Sequence, residues 1–448
     1  MREDRILEED AMTTTTRHAH AADTRARILT AARELFTAQG YRATSLRDIA
    51  AAASVSHPGL LGHFASKDDL LAEVVAQFED ENGEVLSDLL AASEPGALIY
   101  SELAARNART PGYLELFAAL TGEASAPGHP AHERMRDRYA RTHALTVDAL
   151  QDAAYHGVIA PDRDLDAEAT RHMAAWDGLQ LLTQYLPHRV DIVDLLEERE
   201  SLWSLPVGWR DPDDAQESRE PAGPLPETFI ISPLDVDPGY AVGRRRRAQI
   251  VADAMHLFSR SGYGDTSLRD IAEAVGVSKS TLLHHYPSKD ALLRAVLAER
   301  DRSISERVDG ADAARAADVL RGLHEGARVN ALDEPGLIEV YAVLSCEAVP
   351  ESHPAHAYFT ERFSRAIDYF AELFRLAQED GDLPSHRDPE HEAIWLIALW
   401  DGLQYQWLYD RGAVDVAAHL RAHLDDVLPE PRSTDEPSAG GVGVMGAA

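Results

Sequence analysis

The chain contains the same passage twice. Gly40–Ala50 reads Gly-Tyr-Arg-Ala-Thr-Ser-Leu-Arg-Asp-Ile-Ala, and Gly262–Ala272 reads Gly-Tyr-Gly-Asp-Thr-Ser-Leu-Arg-Asp-Ile-Ala, identical at nine of eleven positions. Further on, with the register slipped only slightly, Trp176-Asp-Gly-Leu-Gln180 returns as Trp400-Asp-Gly-Leu-Gln404. A duplication on this scale restricts the fold to two units of one layout in tandem, and 448 residues are enough for each to bury its own core.

Helical spacing dominates both units. Ile28, Leu29, Ala32, Leu35 and Phe36 share a helix face that Gly40 is placed to end, and Ile250, Val251, Ala254, Leu257 and Phe258 repeat it before Gly262. A short helix follows from about Leu46 to Ala52, then a turn through Ser54-Val55, then a helix from about His57 to His63. A longer one opens at Ser66-Lys67-Asp68-Asp69, with acidic residues in its first turn as the helix dipole favours. The second unit copies this as Leu268 to Ala274, Gly276-Val277, Lys279 to His285 and Ser288-Lys289-Asp290. The predicted fold class is all-α. A helix-turn-helix head at 21–70 and a bundle at 71–200 are followed by a Pro-rich linker at 201–243, a second head at 244–293, a second bundle at 294–428 and a disordered tail at 429–448. Residues 1–20, polar and Thr/His-rich, are expected to be disordered as well.

A formal net charge of −33 argues at first against a polyanionic partner. The local charge reverses this. Residues 17–70 carry seven Lys/Arg against five Asp/Glu, residues 243–294 carry nine against five, and the chain's three lysines, Lys67, Lys279 and Lys289, all fall in these heads. Two short helices joined by a tight turn let the second lie in the major groove of double-stranded DNA. In the second head Ile271 and Ala272 supply the inner face, Gly276 permits the turn, Val277 plugs the hairpin and Ser278 caps the reading helix. Lys279, Ser280, Thr281 and His284 are then placed to meet base edges and phosphates. Ser56 and His57 hold the matching places in the first head, where Pro58, Gly59 and Gly62 weaken the helix by roughly 1 kcal/mol per glycine. Arg244, Arg245, Arg246 and Arg247 precede the second unit as a basic arm, either following the DNA backbone or ending a solvated linker.

The run Thr266-Ser-Leu-Arg-Asp-Ile-Ala, Gly276-Val-Ser, Leu282, His285-Tyr-Pro-Ser-Lys289, Leu292-Leu293 resembles the DNA-binding signature of the tetracycline-repressor (TetR) family of bacterial transcriptional regulators, and Thr44 to Leu71 is a looser match. The resemblance implies that Thr44 and Thr266 meet phosphates, that Lys67 and Lys289 do so at the start of the following long helix, and that His63 and His285 close the reading helices. It also implies a ligand pocket in the bundle and a pairing role for the Trp-Asp-Gly-Leu-Gln helices, where Trp176, Gly178, Leu179, Trp400, Gly402 and Leu403 are the candidate dimerisation residues. The chain departs from the family at Leu61 and Leu283, where many members carry a phosphate-binding tyrosine.

Other features are ambiguous in sequence. Each half carries a glutamate followed by His-Pro-Ala-His, as Glu123 with His129 and His132 and Glu347 with His353 and His356, compatible with metal ligation or with a plain helix start. Tyr113, Phe117 and Tyr139, with Tyr341, Phe363 and Tyr405, either line pockets or fill cores. Cys346, the only cysteine, excludes an intrachain disulfide and suits a buried apolar site. No catalytic constellation, metal or cofactor is indicated, and no apolar run is long enough to cross a membrane, so a cytoplasmic location is expected. The expected partners are an operator and a small-molecule effector of unknown identity. One tethered chain is expected to act as its own dimer on an asymmetric site; the competing reading is an acidic small-molecule-binding or protein-interaction module without productive DNA binding.

Overall fold

The computed structural model describes residues 2–110, 112–214, 221–227, 241–308, 315–333 and 335–429, and all regular structure among them is helical. The first repeat runs α1 (Arg2–Ala43), α2 (Leu46–Ala52), α3 (His57–Leu61), α4 (Lys67–Ala92), α5 (Tyr100–Ala108), α6 (Tyr113–Glu123), α7 (His132–Tyr155), α8 (Leu165–Tyr185) and α9 (Ile192–Leu202). The second repeats this order as α10 (Ala241–Asp265), α11 (Leu268–Val275), α12 (Lys279–His285), α13 (Lys289–Val308), α14 (Ala316–Asp333), α15 (Pro335–Glu347), α16 (His356–Glu379), α17 (Pro389–Tyr409) and α18 (Val416–Val427).

Three expectations are corrected here. Residues 2–20 continue α1 rather than being disordered, because extending an existing helix needs no new nucleus and Glu, Leu, Ala and Arg there are good helix formers. Gly40 does break α1, at φ 80°, but α10 runs through Gly262 to Asp265. The first part of the expected linker is packed. Trp203 is buried, Trp209 meets the His386 ring edge-on, and Arg210 donates to the carbonyls of Gly381 and Asp382. A count of prolines overlooks that two tryptophans in this stretch are too apolar to be left in water. The remainder of 201–243 at 215–220 and 228–240, and the expected tail at 430–448, lie outside the described residues.

In each repeat the first helix packs on the first short helix and on the long one, and the two short helices pack on each other, forming a head. The core of the first head, built on Ile28, Phe36, Ile49, Leu60, Leu70 and Val74, runs on into Leu116, Phe117 and Leu120 of α6, so head and bundle share one apolar interior. A larger core joins the repeats: Ala174, Leu179, Leu182 and Leu196 of the first pack in one cluster with Leu396, Leu399, Leu403 and Leu420 of the second. The closest approach is between α8 and α17. A Cβ on Gly178 would overlap the Ala398 carbonyl, and one on Gly402 would overlap that of Ala174, so only glycine lets the two backbones come so near.

Contacts between the repeats come in reciprocal pairs. The Tyr185 hydroxyl donates to the Ser345 carbonyl and the Tyr409 hydroxyl to that of Thr121, at 2.9 Å in the second case. The Tyr185 ring stacks on His356 at 5.2 Å between centroids, and Tyr409 on His132 at 5.4 Å. Every partner in one pair holds the same place in its repeat as its counterpart in the other.

Candidate DNA interface

Each head carries a helical hairpin fixed by the same local bonds. Ser45 caps α2 in a reciprocal box with Asp48, and Ser267 caps α11 with Asp270, each cap contributing about 1 kcal/mol. Those hydrogen bonds lower both aspartates' pKa, keeping them ionised at the helix starts. Ile49 and Ile271 are fully buried beneath the hairpins, as are Leu60 and Leu282 on the inner faces of α3 and α12. Val55 N–H bonds to the Ala50 carbonyl and Val277 N–H to that of Ala272, closing the two turns alike.

At the turn the repeats differ. Gly276 adopts φ 68° and Ser54 adopts φ 56°. A left-handed backbone costs an L-residue roughly 1 kcal/mol and glycine almost nothing. Because a Cβ at Gly276 would meet no atom within 4 Å, strain is the whole difference. We expect Ser54→Gly to stabilise the first head by up to about 1 kcal/mol and Gly276→Ser to destabilise the second by a similar amount, as read by hydrogen exchange of the α2 and α11 amides. Equal protection in wild type and both variants would refute this.

The reading helices also differ. α12 is capped by Ser278, whose Oγ accepts from the Thr281 N–H at 3.1 Å and lies within 2.9 Å of Ser280 Oγ and 2.8 Å of Thr281 Oγ1. Lys279, Ser280, Thr281 and His284 are exposed, and half-buried His285 closes the helix. Ser56 caps α3 through the Gly59 N–H, exposing Pro58, Gly59 and Leu61, with His57 half-exposed. α3 ends at Leu61 and Gly62 forms its C-cap, so His63 lies beyond the helix it was expected to close; Gly59 and Gly62 together make the last turn too weak to hold.

Several residues expected at phosphates are turned inward. Thr44 and Thr266 are buried, and the Thr44 hydroxyl donates to the Gly40 carbonyl at 2.8 Å. Lys67 Nζ donates to the carbonyls of Tyr41 and Thr44 at 3.0 and 2.9 Å and sits 4.2 Å from the Tyr41 ring centroid; Lys289 lies 4.1 Å from that of Tyr263. Both lysines pin the start of the long helix to the end of the first, a role that their position at a helix N-terminus does not announce. The four arginines are not an arm preceding α10 but part of its opening turns, because consecutive helix-forming arginines and Ala248 extend it backwards. Arg245 and Arg246 are exposed and Arg247 is half-buried. Burial, then His284, Arg247 and Arg246, lowers the His285 pKa, which places this basic turn beside the C-terminus of α12. The side chain of Arg244 lies outside the described residues.

The candidate pairing residues fall where the repeats meet. Leu179 and Leu403 are fully buried, Gly178 and Gly402 make the close approach, and Trp176 and Trp400 are half-buried. The His-Pro-Ala-His segments join heads to bundles. Glu123 Oε1 would lie 2.7 Å from a Cβ on Gly40, His129 packs edge-on to Tyr41 and His353 edge-on to Tyr263. Helices α7 and α16 start at His132 and His356, two positions after the prolines, and among the described residues no group of three His, Cys, Asp or Glu could hold a metal ion. Cys346 is buried, which pushes its thiol up to about 12. A cavity of about 520 Å³ opens in the first bundle, lined by Tyr113, Phe117 and Tyr139 among others, whereas Tyr341, Phe363 and Tyr405 belong to the packed core.

Residues 28–74 and 250–296 both match the family described as bacterial regulatory proteins, tetR family, and residues 345–429 match the C-terminal domain of BetI-type transcriptional repressors. The chain belongs to the TetR family. It is therefore a transcriptional regulator and not an enzyme. It is 29% identical over 185 residues to the regulatory protein RaaS of Mycobacterium tuberculosis, covering 41% of this chain and 81% of that one. It is 25% identical to the repressor KstR2 of Rhodococcus jostii, covering 36% of this chain and 66% of the relative, just under two thirds. Among solved structures it is similar to a transcriptional regulator from Saccharomonospora viridis in complex with choline, at 26% identity and TM-score 0.37, covering 41% of this chain and 95% of that one. This TetR chain thus carries two copies of the family's DNA-binding domain, and no helix among the described residues is long and apolar enough to cross a membrane.

Proposed function

We propose that this TetR-family chain is an effector-released repressor that binds its operator as a single-chain pseudodimer, with the two heads reading different half-sites. The observation that carries this reading is the fit between unlike repeats. Gly122 and Cys346 occupy the same position in their respective repeats, and they face each other: a Cβ on Gly122 would lie 2.5 Å from Cys346 Cβ. Two first repeats paired in this geometry would leave a hole there, and two second repeats would force two thiols into the space of one. Like-with-like pairing therefore loses packing on either count. The reciprocal tyrosine contacts and the glycine approach of α8 to α17 support the same reading. Light scattering should report one chain of 49.1 kDa, and footprinting one asymmetric site per chain. A stable two-chain particle on a symmetric operator would overturn it.

Base readout falls mainly to α12, the longer and better capped reading helix, with Lys279, Ser280, Thr281 and His284 facing the groove and Arg245 and Arg246 beside it for backbone contact. Ser56 and His57 serve the first half-site. We expect Lys279→Ala to weaken specific binding by roughly 1–3 kcal/mol and relax sequence preference in one half-site alone. Gel shifts against operators scrambled in either half would test this, and unchanged affinity would remove Lys279 from the interface. An effector that binds better when the heads are splayed would release DNA by the difference in its affinity for the two states.

A further inference from the structure

The cavity in the first bundle has the size and lining of a ligand site. Its volume of about 520 Å³ lies within the roughly 300–1,000 Å³ typical of sites for drug-sized molecules. Tyr113, Phe117, Tyr139 and Trp176 line it, and the exposed apolar side chains of Leu90 and Leu145 stand on α4 and α7 at its border. Three lining residues hold buried polar atoms without a hydrogen-bond partner: Tyr100, through its hydroxyl, Asn107, through Oδ1, and His172, through both ring nitrogens. Asn107 is 1% and His172 2% exposed. Unpaired groups at this depth cost roughly 1–3 kcal/mol each, a cost that a bound molecule with complementary groups removes.

The second repeat has exchanged this lining for bulk. At the corresponding positions Met135 becomes Phe359, Thr146 becomes Phe370, Ala149 becomes Leu373 and His172 becomes Leu396, while Tyr139 loses its hydroxyl as Phe363. Phe359, Phe363, Leu373 and Leu396 are essentially fully buried, with Tyr341 and Phe359 ring centroids 5.5 Å apart and Phe359 and Phe363 6.1 Å apart. The side chains that would leave room and offer hydrogen bonds are those replaced.

We infer that effector sensing is confined to the first repeat, which takes one uncharged, mostly apolar aromatic molecule bearing a hydroxyl, amine or amide donor, while the second repeat serves as a packed partner. This rests on the effector-released reading above. The uncharged class follows from the lining: burial lowers the His172 pKa to about 3, so the ring is neutral, and Arg138 already lies near Glu79 and Asp177 and stacks 4.5 Å from the Phe117 centroid. The donor answers Asn107 Oδ1 and one His172 nitrogen. A route to the DNA head is built in, since Thr121 lines the cavity two positions before Glu123, which abuts Gly40 at the end of α1.

The test uses the full chain and N-phenyl-1-naphthylamine, a neutral aromatic probe with one N–H donor, titrated by fluorescence and calorimetry. One equivalent per chain is expected. Thr146→Phe with Ala149→Leu, the second repeat's own residues, should weaken binding at least 10-fold, and His172→Leu, which hardly changes volume and removes two unpaired buried nitrogens, should weaken it several-fold with the melting temperature unchanged or raised. Two equivalents per chain, no binding by the wild type, or binding indifferent to both variants would overturn the inference. Operator affinity of the probe-free wild type is a separate readout: its absence beside a single probe site would strike the repressor reading and leave the assignment of the cavity standing.

Discussion

Gly402→Val should separate the two repeats. The added side chain has nowhere to go, because the atoms in its way are the Ala174 backbone and not the end of a flexible side chain. Relief requires α8 and α17 to move apart, which strips Leu179 and Leu403 of their packing. Overpacking commonly costs about 1–3 kcal/mol, and a site that can yield only by moving a helix belongs at or beyond the upper end. We expect a loss of about 3 kcal/mol, a melting temperature lower by on the order of 10 °C, and operator affinity reduced at least 10-fold because the heads lose their fixed spacing. Gly178→Val should behave alike, since a Cβ there overlaps the Ala398 carbonyl. The control is Gly322→Ala on α14, where a Cβ meets nothing within 4 Å and helix propensity alone should add up to about 1 kcal/mol. A Gly402 variant with the melting temperature and operator affinity of the wild type would show that the close approach is not needed.

Glu392→Gln should be at least as damaging, for an electrostatic reason. Glu392 is 2% exposed, with Arg387 Nη1 at 2.6 Å and Arg199 Nη2 at 3.2 Å from its carboxylate oxygens. Arg387 continues to Asp426 at 3.1 Å, and Asp426 to Arg163 at 3.5 Å, so the network ties α9 and the approach to α8 in the first repeat to α17 and α18 in the second. Removing one partner of a buried pair leaves the others uncompensated and typically costs about 3–5 kcal/mol.

The same network sets an acid limit on stability. Burial alone would raise the Glu392 and Asp426 pKa values, but the guanidiniums of Arg199 and Arg387 hold Glu392 at about 2 against an ordinary 4.5, and Arg387 and Arg163 hold Asp426 at about 2 against 3.8. Both folded values are depressed, so the stabilisation is fully present above about pH 4.5 and is lost as the pH falls towards 2. Melting temperature should therefore fall steeply across that window, and Glu392→Gln should flatten the fall while lowering the neutral-pH value. A variant as stable as the wild type at pH 7 would show that the arginines find other partners.

The heads were largely legible in the sequence because their structure is local. Ser45 with Asp48, Ser267 with Asp270, and the caps at Ser56 and Ser278 are contacts between near neighbours, and their spacing is visible in one line of text. Locality misleads at His63, because Gly59 and Gly62 do more than weaken α3: they end it two residues early. It misleads also at Thr44 and Lys67, which look like free polar groups in the sequence and are held by carbonyls of Tyr41, Gly40 and Thr44 once α1 and α4 cross.

Periodicity, capping and repetition are properties of near neighbours along the chain. They are why the amino-acid order was enough to establish a helical, duplicated protein and the starts of its reading helices. Other outcomes depend on what lies across an interface: that 203–214 packs instead of hanging loose, that the buried charges bridge the repeats, and that one bundle keeps a cavity which the other fills. These were settled only when the helices came together. Gly122 needs Cys346 opposite it, Glu392 needs Arg199 from the other repeat, and an alanine at 149 means empty space only when the helices around it fail to close over it.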